Sequence, residues 1–186
     1  MIIRLADCPP QPWKNGLGST REIAVHPATA GIDDFVWRVS IAEVDSAAPF
    51  SRFPGIDRQI VLLDGAGFTM TMDDSRRHEL TRPFEPFAFP GEADVAVALA
   101  GGPTRDFNLM VRRARARGAI AVWREPGSCL ADGAVTLLYC ARGAIDTAEG
   151  CLQAGDAWLR SPPDTEMVTL QAGALALAVR IEPVTA

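Results

Sequence analysis

The sequence has little of what metal, nucleotide or covalent sites usually require. It contains two histidines, His26 and His78, which lie far apart in the chain. Two separated histidines with scattered carboxylates rarely build a transition-metal site. Glycine-rich nucleotide-binding loops and the G-x-S-x-G motif of serine hydrolases are absent. We therefore expect no metal and no other cofactor, and we assign no catalytic residue.

Cysteine and long apolar runs are also scarce. The four cysteines form no C-x-x-C pair. No stretch approaches the roughly 20 apolar residues of a membrane-spanning helix, and residues 1–7 are too short an apolar run for a signal peptide. We expect a cytoplasmic protein with free thiols and no membrane association.

Lysine is nearly absent, since Lys14 is the single lysine among 18 basic residues. The formal net charge is -5, which argues against nucleic acid or an anionic membrane as a partner. Arg112, Arg113, Arg115 and Arg117 form a basic run without interleaved aromatic residues. We interpret this run as a solvated loop between two halves of the chain.

Turn-forming residues are abundant, with 16 glycines and 14 prolines. They recur about every ten residues between short alternating or apolar runs, a pattern typical of β-sandwiches and barrels. The segment 106–117 has some helical propensity, but we assign it to a strand followed by a loop. This turn pattern predicts an all-β chain. A weak similarity between residues 61–65 and 137–143 further predicts two barrel halves, residues 1–115 and 116–186.

Local patterns in the first half predict individual strands. Residues 59–63 and 68–72 flank Asp-Gly-Ala-Gly, which is a hairpin signal. Residues 84–89 are predicted to form a strand, and residues 73–79, which include His78, a charged loop.

The segment around Lys14 is rich in ligand-binding chemistry. Trp13, Lys14, Asn15 and Thr20 lie among glycines that allow the backbone to approach a ligand closely. Lys14 and Arg21 can hold a carboxylate, and Asn15 and Thr20 can orient it. The alternative is a surface turn that leads into the next strand.

Each of two predicted strands has one face with polar side chains. Arg38 and Ser40 share a face of one strand, and Asp106 and Asn108 share a face of another. In a barrel, a polar inner face lines the mouth where small ligands bind, and an inward Asp and Asn can orient an arginine or contact the ligand. The alternative is exposure to solvent.

A stiff loop with Ser51 and Phe53 precedes Arg58, which ends an apolar stripe on its strand. This position suggests the rim of a pocket. The alternative is an exposed salt bridge to Asp57 or Glu43, worth about 0–1 kcal/mol.

Taken in order, these segments resemble the signature blocks of the HutD/Ves family. The blocks are residues 12–16, 20–23, 37–42, 49–51 and 53–58, followed by Asp106, Asn108 and Met110. Leu17 and the Ser-Ala-Ala at 46–48 depart from the family's usual residues. The resemblance implies a bicupin fold, with two double-stranded β-helix (jelly-roll) barrels, in a cytoplasmic bacterial protein. It also implies a link to histidine utilisation for HutD members and to stress or cold response for Ves members.

Three hypotheses for function follow. In the first, the protein is a non-enzymatic binding protein for a small organic acid, such as N-formylglutamate or urocanate, and modulates histidine utilisation or a related stress response. Its ligand-binding residues are Trp13, Lys14, Asn15, Thr20, Arg38, Ser40, Ser51, Phe53, Arg58 and Asn108.

In the second hypothesis, the protein is a metal-independent enzyme acting on a similar acid, with Lys14 or Glu22 as acid or base. In the third, it is a structural or partner-binding module without a ligand. Cupin barrels often dimerise through edge strands, so a homodimer is one expectation.

Overall fold

The computed structural model describes residues 1–73, 75–160 and 164–184. These residues form eighteen strands and one short 3₁₀ turn, Leu5–Asp7. The prediction of an all-β chain is therefore confirmed. Within the described ranges, no helix is long and apolar enough to cross a membrane.

All eighteen strands follow one another without an intervening α-helix in the described ranges. In chain order they are β1 (Ile2–Ile3), β2 (Gln11–Pro12), β3 (Gly18–His26), β4 (Trp37–Val44), β5 (Ile56–Gly65), β6 (Phe68–Met72), β7 (Arg76–Leu80), β8 (Phe87–Pro90), β9 (Val95–Leu99), β10 (Thr104–Arg112), β11 (Ala116–Trp123), β12 (Gly127–Ala131), β13 (Val135–Arg142), β14 (Ala144–Thr147), β15 (Gly150–Gln153), β16 (Ala157–Leu159), β17 (Glu166–Leu170) and β18 (Leu175–Pro183).

The chain divides into two compact units. Unit 1 comprises Met1–Cys8 together with the chain from Arg117 onward, and unit 2 comprises Pro9–Ala116. Unit 1 contains a five-stranded sheet, in the order β1-β16-β13-β18-β11, and a four-stranded sheet, in the order β12-β17-β14-β15. Its core includes Trp158 of the larger sheet and Leu152 of the smaller one, both almost completely buried.

Unit 2 contains a six-stranded sheet, in the order β2-β3-β4-β10-β5-β8, and a three-stranded sheet, in the order β7-β6-β9. Ile60 and Leu62 of β5 share a core with Phe68 and Met70 of β6. Alternating side chains place these apolar residues on the inward faces of the two sheets. No sheet of either unit closes into a barrel among the residues described, so the expected barrels are seen as open sheets.

The predicted hairpin between residues 59–63 and 68–72 is wrong. β5 pairs with β8 and β10, whereas β6 pairs with β7 and β9, so the two strands belong to different sheets. Gly65 and Gly67 between them have positive φ angles of 90° and 76°. Left-handed backbone at both glycines redirects the chain from one sheet to the other.

Two further local predictions in unit 2 need correction. Residues 84–86 are not extended, because Phe84 has a φ of 62° and the strand β8 begins only at Phe87. Residues 76–79 of the predicted charged loop belong to β7, whose backbone pairs with β6. Charged side chains suit β7 because it lies at the edge of its sheet. Asp74 lies outside the described residues.

The basic run is more structured than a solvated loop. Arg112 ends β10 and donates hydrogen bonds to the carbonyls of Phe35 and Asp33 at 3.0 and 2.7 Å. Arg113 forms ion pairs with Asp57 at 2.9 Å and Glu92 at 2.6 Å. Half-buried arginines with these partners hold the end of β10 in place and are not free to form an open basic patch.

We predict that Leu152→Ala lowers the free energy of unfolding by about 2–5 kcal/mol, because it leaves a cavity in the core of unit 1. Urea denaturation followed by tryptophan fluorescence measures this change. The matched control is Leu130→Ala in the same four-stranded sheet, since Leu130 is 55% exposed and Leu152 is fully buried. Leu130→Ala should change stability by less than about 0.5 kcal/mol. Equal losses for both variants would contradict the assigned core.

Candidate functional site

Unit 2 encloses a cavity of about 560 Å³. This volume lies within the range of small-molecule binding sites. The structure brings together at this cavity every residue that the sequence predicted for the ligand site. These residues are Trp13, Lys14, Asn15, Thr20, Arg38, Ser40, Ser51, Phe53, Arg58 and Asn108. Their binding of a ligand stays a prediction.

The six-stranded sheet supplies the polar wall of the cavity. In the antiparallel register of β4 and β10, Asn108 lies opposite Ser40, and Met110 lies opposite Arg38. On the other side of β10, Met110 lies opposite Arg58 of β5. Since side chains alternate along a strand, three neighbouring strands present these residues to the same face.

The loop before β3 is a tight turn. The backbone N–H of Trp13 donates to the carbonyl of Gly18 at 2.9 Å, and that of Gly16 donates to the carbonyl of Trp13 at 3.0 Å. Gly16 has a φ of 69°, and a Cβ on Gly18 would lie 3.0 Å from the Trp13 ring. Asn15 accepts a hydrogen bond from the N–H of Leu17 at 3.1 Å, so its side chain also holds the turn.

This turn fixes the indole of Trp13 in the cavity wall and presents Lys14 to solvent. Trp13 donates through Nε1 to the hydroxyl oxygen of Thr20 at 2.8 Å, which locks the indole against β3. Lys14, one residue further, is exposed at the cavity. Lys14 therefore places a solvated positive charge at the mouth.

Arg58 lies deeper than the rim position that the sequence suggested. It is 8% exposed, and its guanidinium carbon lies 4.9, 5.1 and 5.7 Å from the ring centroids of Phe89, Phe50 and Phe53. These distances are within the range of cation–π contacts. The predicted alternative, a salt bridge to Asp57 or Glu43, is not formed by the described residues, since those carboxylates pair with Arg113 and Arg21.

The hydrogen bonding of Arg58 is incomplete. Its Nη2 donates to Oδ1 of Asn108 at 3.1 Å, and its Nη1 makes a long contact of 3.5 Å with the carbonyl oxygen of Ser51. Its Nε is enclosed without a partner among the described residues. A guanidinium carries five N–H donors. Burial lowers the pKa of Arg58 to about 10, against an opposing effect of Asp106, so the side chain remains a cation at neutral pH.

Asp106 lies on the side of Asn108 that faces away from Arg58. It is completely buried, its Oδ1 accepts a hydrogen bond from Nδ2 of Asn108, and its Oδ2 has no partner among the described residues. Burial raises the pKa of Asp106 to about 7, although the hydrogen bond from Asn108 and the charge of Arg58 act in the opposite direction. The sequence suggested that Asp106 orients an arginine, and the structure connects it to Arg58 through Asn108.

Arg38 differs from Arg58 in having an acidic partner. Its Nε donates to Oε2 of Glu22 at 2.7 Å, and its Nη1 approaches the Ser40 hydroxyl at 3.5 Å. The Arg38 side chain is 12% exposed. The charge of Arg38 is thus largely balanced within the protein, whereas Arg58 forms no salt bridge with any described residue.

The sequence missed two of the aromatic rings around Arg58. Phe50 belonged to a block that was singled out, but it was not assigned to the site. Phe89 pairs directly with Arg58 in the register of β5 and β8. The sequence gives no signal for this pairing, because β6 and β7 separate β5 from β8 along the chain.

The histidines make aromatic contacts. The ring of His26 stacks on Trp37 at 5.7 Å, and that of His78 stacks on Phe87 at 3.5 Å. In the part of the chain that the structure describes, no three His, Cys, Asp or Glu side chains are grouped so that they can hold a metal ion.

Comparison with known proteins identifies relatives of this chain. The HutD family model matches residues 5–178. The chain is 40% identical over 148 residues to a 21.2 kDa protein in the hutC 3' region of Pseudomonas putida, covering 79% of this chain and 76% of that protein. It is 35% identical over 145 residues to protein Ves of Escherichia fergusonii, covering 77% of this chain and 70% of that protein.

Solved structures agree with these sequence matches. HutD from Pseudomonas fluorescens SBW25, described in a formate condition, superposes with a TM-score of 0.86 at 28% identity, covering 100% of this chain and 99% of that one. A cupin 2 conserved barrel domain protein from Leptotrichia buccalis superposes with a TM-score of 0.63 at 6% identity, covering 98% and 96%. The second likeness concerns the fold alone, which is cupin-like.

We predict that Asp106→Asn changes how stability depends on pH. The folded protein keeps the Asp106 proton up to about pH 7, whereas the unfolded chain loses it near its ordinary pKa of 3.8. Asp106 therefore adds stability at low pH that is lost as the pH rises toward 7, with a limiting slope of about 1.4 kcal/mol per pH unit. The Asp106→Asn variant lacks this contribution to the pH dependence of the free energy of unfolding.

Urea denaturation of both proteins at several pH values between 4 and 8 measures the difference. The stability of the variant relative to wild type should rise with pH and level off above about pH 7. Glu85→Gln, which changes an exposed carboxylate, is the control and should follow wild type. A constant difference between Asp106→Asn and wild type would show that Asp106 titrates normally.

Proposed function

The chain belongs to the HutD family, and on that premise we propose that it is a non-enzymatic binding protein for a small organic anion bearing a carboxylate. N-formylglutamate and urocanate are the ligands that we test first. The observation that carries this proposal is the buried guanidinium of Arg58, which faces a cavity without an acidic partner among the described residues.

A buried charge is costly unless it is paired. In Arg58 that cost is offset only in part, by three aromatic rings, two neutral oxygen acceptors and the charge of Asp106 beyond Asn108. A carboxylate ligand would provide the missing negative charge and accept the free Nη hydrogens in the two-pronged geometry that guanidinium favours. The cavity thus has the charge and the donors that a carboxylate requires.

The remaining lining residues suit a small ligand with additional polar groups. Ser40 and Thr20 offer hydroxyls, and Lys14 offers a second positive charge at the mouth. Trp13 and Phe53 offer apolar walls. A carboxylate at Arg58 and a polar or charged group toward Lys14 would use both ends of the cavity.

The biological role is proposed from the relatives. One relative is encoded next to hutC, and another is named Ves. We propose that ligand binding in this chain modulates histidine utilisation or a related stress response. The fraction of protein with bound ligand would then follow the concentration of an acid of the pathway.

The bicupin arrangement also remains a proposal. Each unit has two sheets with core residues from both, as expected for a cupin-type jelly roll. We propose that unit 2 is the ligand-binding half and unit 1 a structural half. The homodimer stays a prediction.

The raised pKa of Asp106 favours one alternative, a metal-independent enzyme, because perturbed acids cluster at catalytic sites. The geometry supports it less well than binding. Asp106 is fully enclosed, and a general base must reach the proton that it removes.

We predict that Arg58→Met weakens the binding of N-formylglutamate or urocanate at least tenfold, because it removes charge-assisted hydrogen bonds worth about 1.5–3 kcal/mol. Isothermal titration calorimetry at neutral pH measures the dissociation constants. The matched control is Arg82→Met, which removes an arginine whose side chain is 78% exposed. It should bind like wild type.

The same titrations test the alternatives. If wild type binds neither acid, nor formiminoglutamate or glutamate, at millimolar concentration, the proposed function is wrong. Heat that continues long after each injection, and is abolished in Lys14→Ala, would indicate turnover and favour the enzyme. Equal binding by Arg58→Met and wild type would place the ligand elsewhere.

We predict a smaller effect for Lys14→Met, about two- to fivefold at low salt, because an exposed charge is screened by water and ions. Titrations at about 20 mM and 500 mM sodium chloride measure it, since the effect of Lys14 should disappear at the higher salt concentration. A salt-independent loss larger than that of Arg58→Met would make Lys14 the main anion-binding residue.

A further inference from the structure

We infer that Asp106 positions the anion-binding arginine through Asn108, and that Asp106 takes up one proton from solvent when the anion binds to Arg58. This inference rests on the proposed function, because it concerns the same cavity. It adds Asp106, a fully buried residue in the wall of the cavity, and a coupling between ligand binding and pH.

The first step concerns the orientation of the Asn108 amide. A guanidinium has only donors, so the group that faces Nη2 of Arg58 must be the amide oxygen, Oδ1, at 3.1 Å. The amide nitrogen must then point the other way, where it donates to Oδ1 of Asp106. Asp106 thus fixes the amide in the orientation that holds Arg58 in place.

The second step concerns the charge balance of the empty cavity. Asp106 and Arg58 are hydrogen-bonded to opposite ends of the Asn108 amide. Each buried charge therefore has an opposite charge on the far side of that one side chain. Neither makes a direct ion pair with a described residue. When a carboxylate reaches Arg58, two anions share one buried cation. The charged form of Asp106 then becomes less favourable, and protonation relieves the repulsion.

The third step concerns the other charged groups on this face. Asp106 is flanked in register by Ala42 of β4 and Leu62 of β5, which carry no charge. Arg38 of β4 is engaged by Glu22 of β3.

Lys14, in the turn before β3, is exposed to solvent. The described residues therefore supply no second buried cation that could replace Arg58 as the counter-charge of Asp106.

The direction of the pH effect follows from these steps. Burial raises the pKa of Asp106 to about 7 in the unoccupied protein, and a bound anion raises it further. Below about pH 6 Asp106 is already protonated, so binding takes up no proton and affinity is constant. Above pH 7 each binding event takes up a proton, and affinity falls by up to tenfold per pH unit.

The test uses the full chain and N-formylglutamate as the probe. Calorimetric titration at pH 8 in phosphate and in Tris, buffers with different ionisation enthalpies, counts the protons taken up on binding. We expect about 0.5 to 1 proton per ligand, and a dissociation constant about tenfold higher at pH 8 than at pH 6. The carboxylates of N-formylglutamate are ionised throughout this pH range, so they do not contribute to the number of protons taken up.

Asp106→Asn is the test variant, because it keeps the shape of the side chain and removes the titrating group. Its affinity should not change between pH 6 and pH 8, and its proton count should be zero. Glu85→Gln, at an exposed carboxylate, is the control and should keep the wild-type profile. A purely structural role of Asp106 would lower affinity equally at all pH values.

Three outcomes separate the two proposals. If wild type does not bind the probe at any pH, the proposed function fails for this ligand. If wild type binds but takes up no proton and shows a flat profile, the coupling is overturned and the proposed function stands. If Asp106→Asn binds with the wild-type slope, another group is responsible. Should this variant fail to fold, the proton count of wild type still tests the coupling, since a count of zero at pH 8 overturns it.

Discussion

The burial of one guanidinium without an acidic partner is the constraint on which the candidate site depends. Arg58 extends from a strand whose next inward side chains belong to the core of unit 2. Aromatic rings and neutral oxygens compensate only part of the cost of its burial. The protein thus holds a buried positive charge at the wall of the cavity, and burial strengthens its electrostatic interactions.

The two arginines of the cavity show how a site can combine rigidity with binding capacity. Arg38 forms an ion pair with Glu22, so its charge is largely balanced within the protein. Arg58 is restrained by Asn108, which is restrained in turn by Asp106, so its position is fixed while its charge stays available. A cation that is held in advance loses less conformational entropy when the ligand arrives.

Much of the candidate site was predictable from the sequence, because strand alternation is a local property. The alternation in residues 37–42 and 106–110 places Arg38 with Ser40 on one face of a strand, and Asp106 with Asn108 on one face of another, without knowledge of the fold. The depth of Arg58 was not predictable, since it depends on Phe89, which reaches it through pairing between β5 and β8. The hairpin prediction failed for the same reason, as turn residues do not say with which strand the chain will pair.

The sequence by itself determined the all-β class, the positions of most turns and the residue types of the site, because these follow from local periodicity and backbone preference. Only the tertiary structure decided which charges are neutralised and which are left unpaired. Glu22 and Glu43 engage Arg38 and Arg21, while Asp106 reaches Arg58 only through Asn108. Burial and pairing arise from contacts between distant segments, so no local pattern contains them.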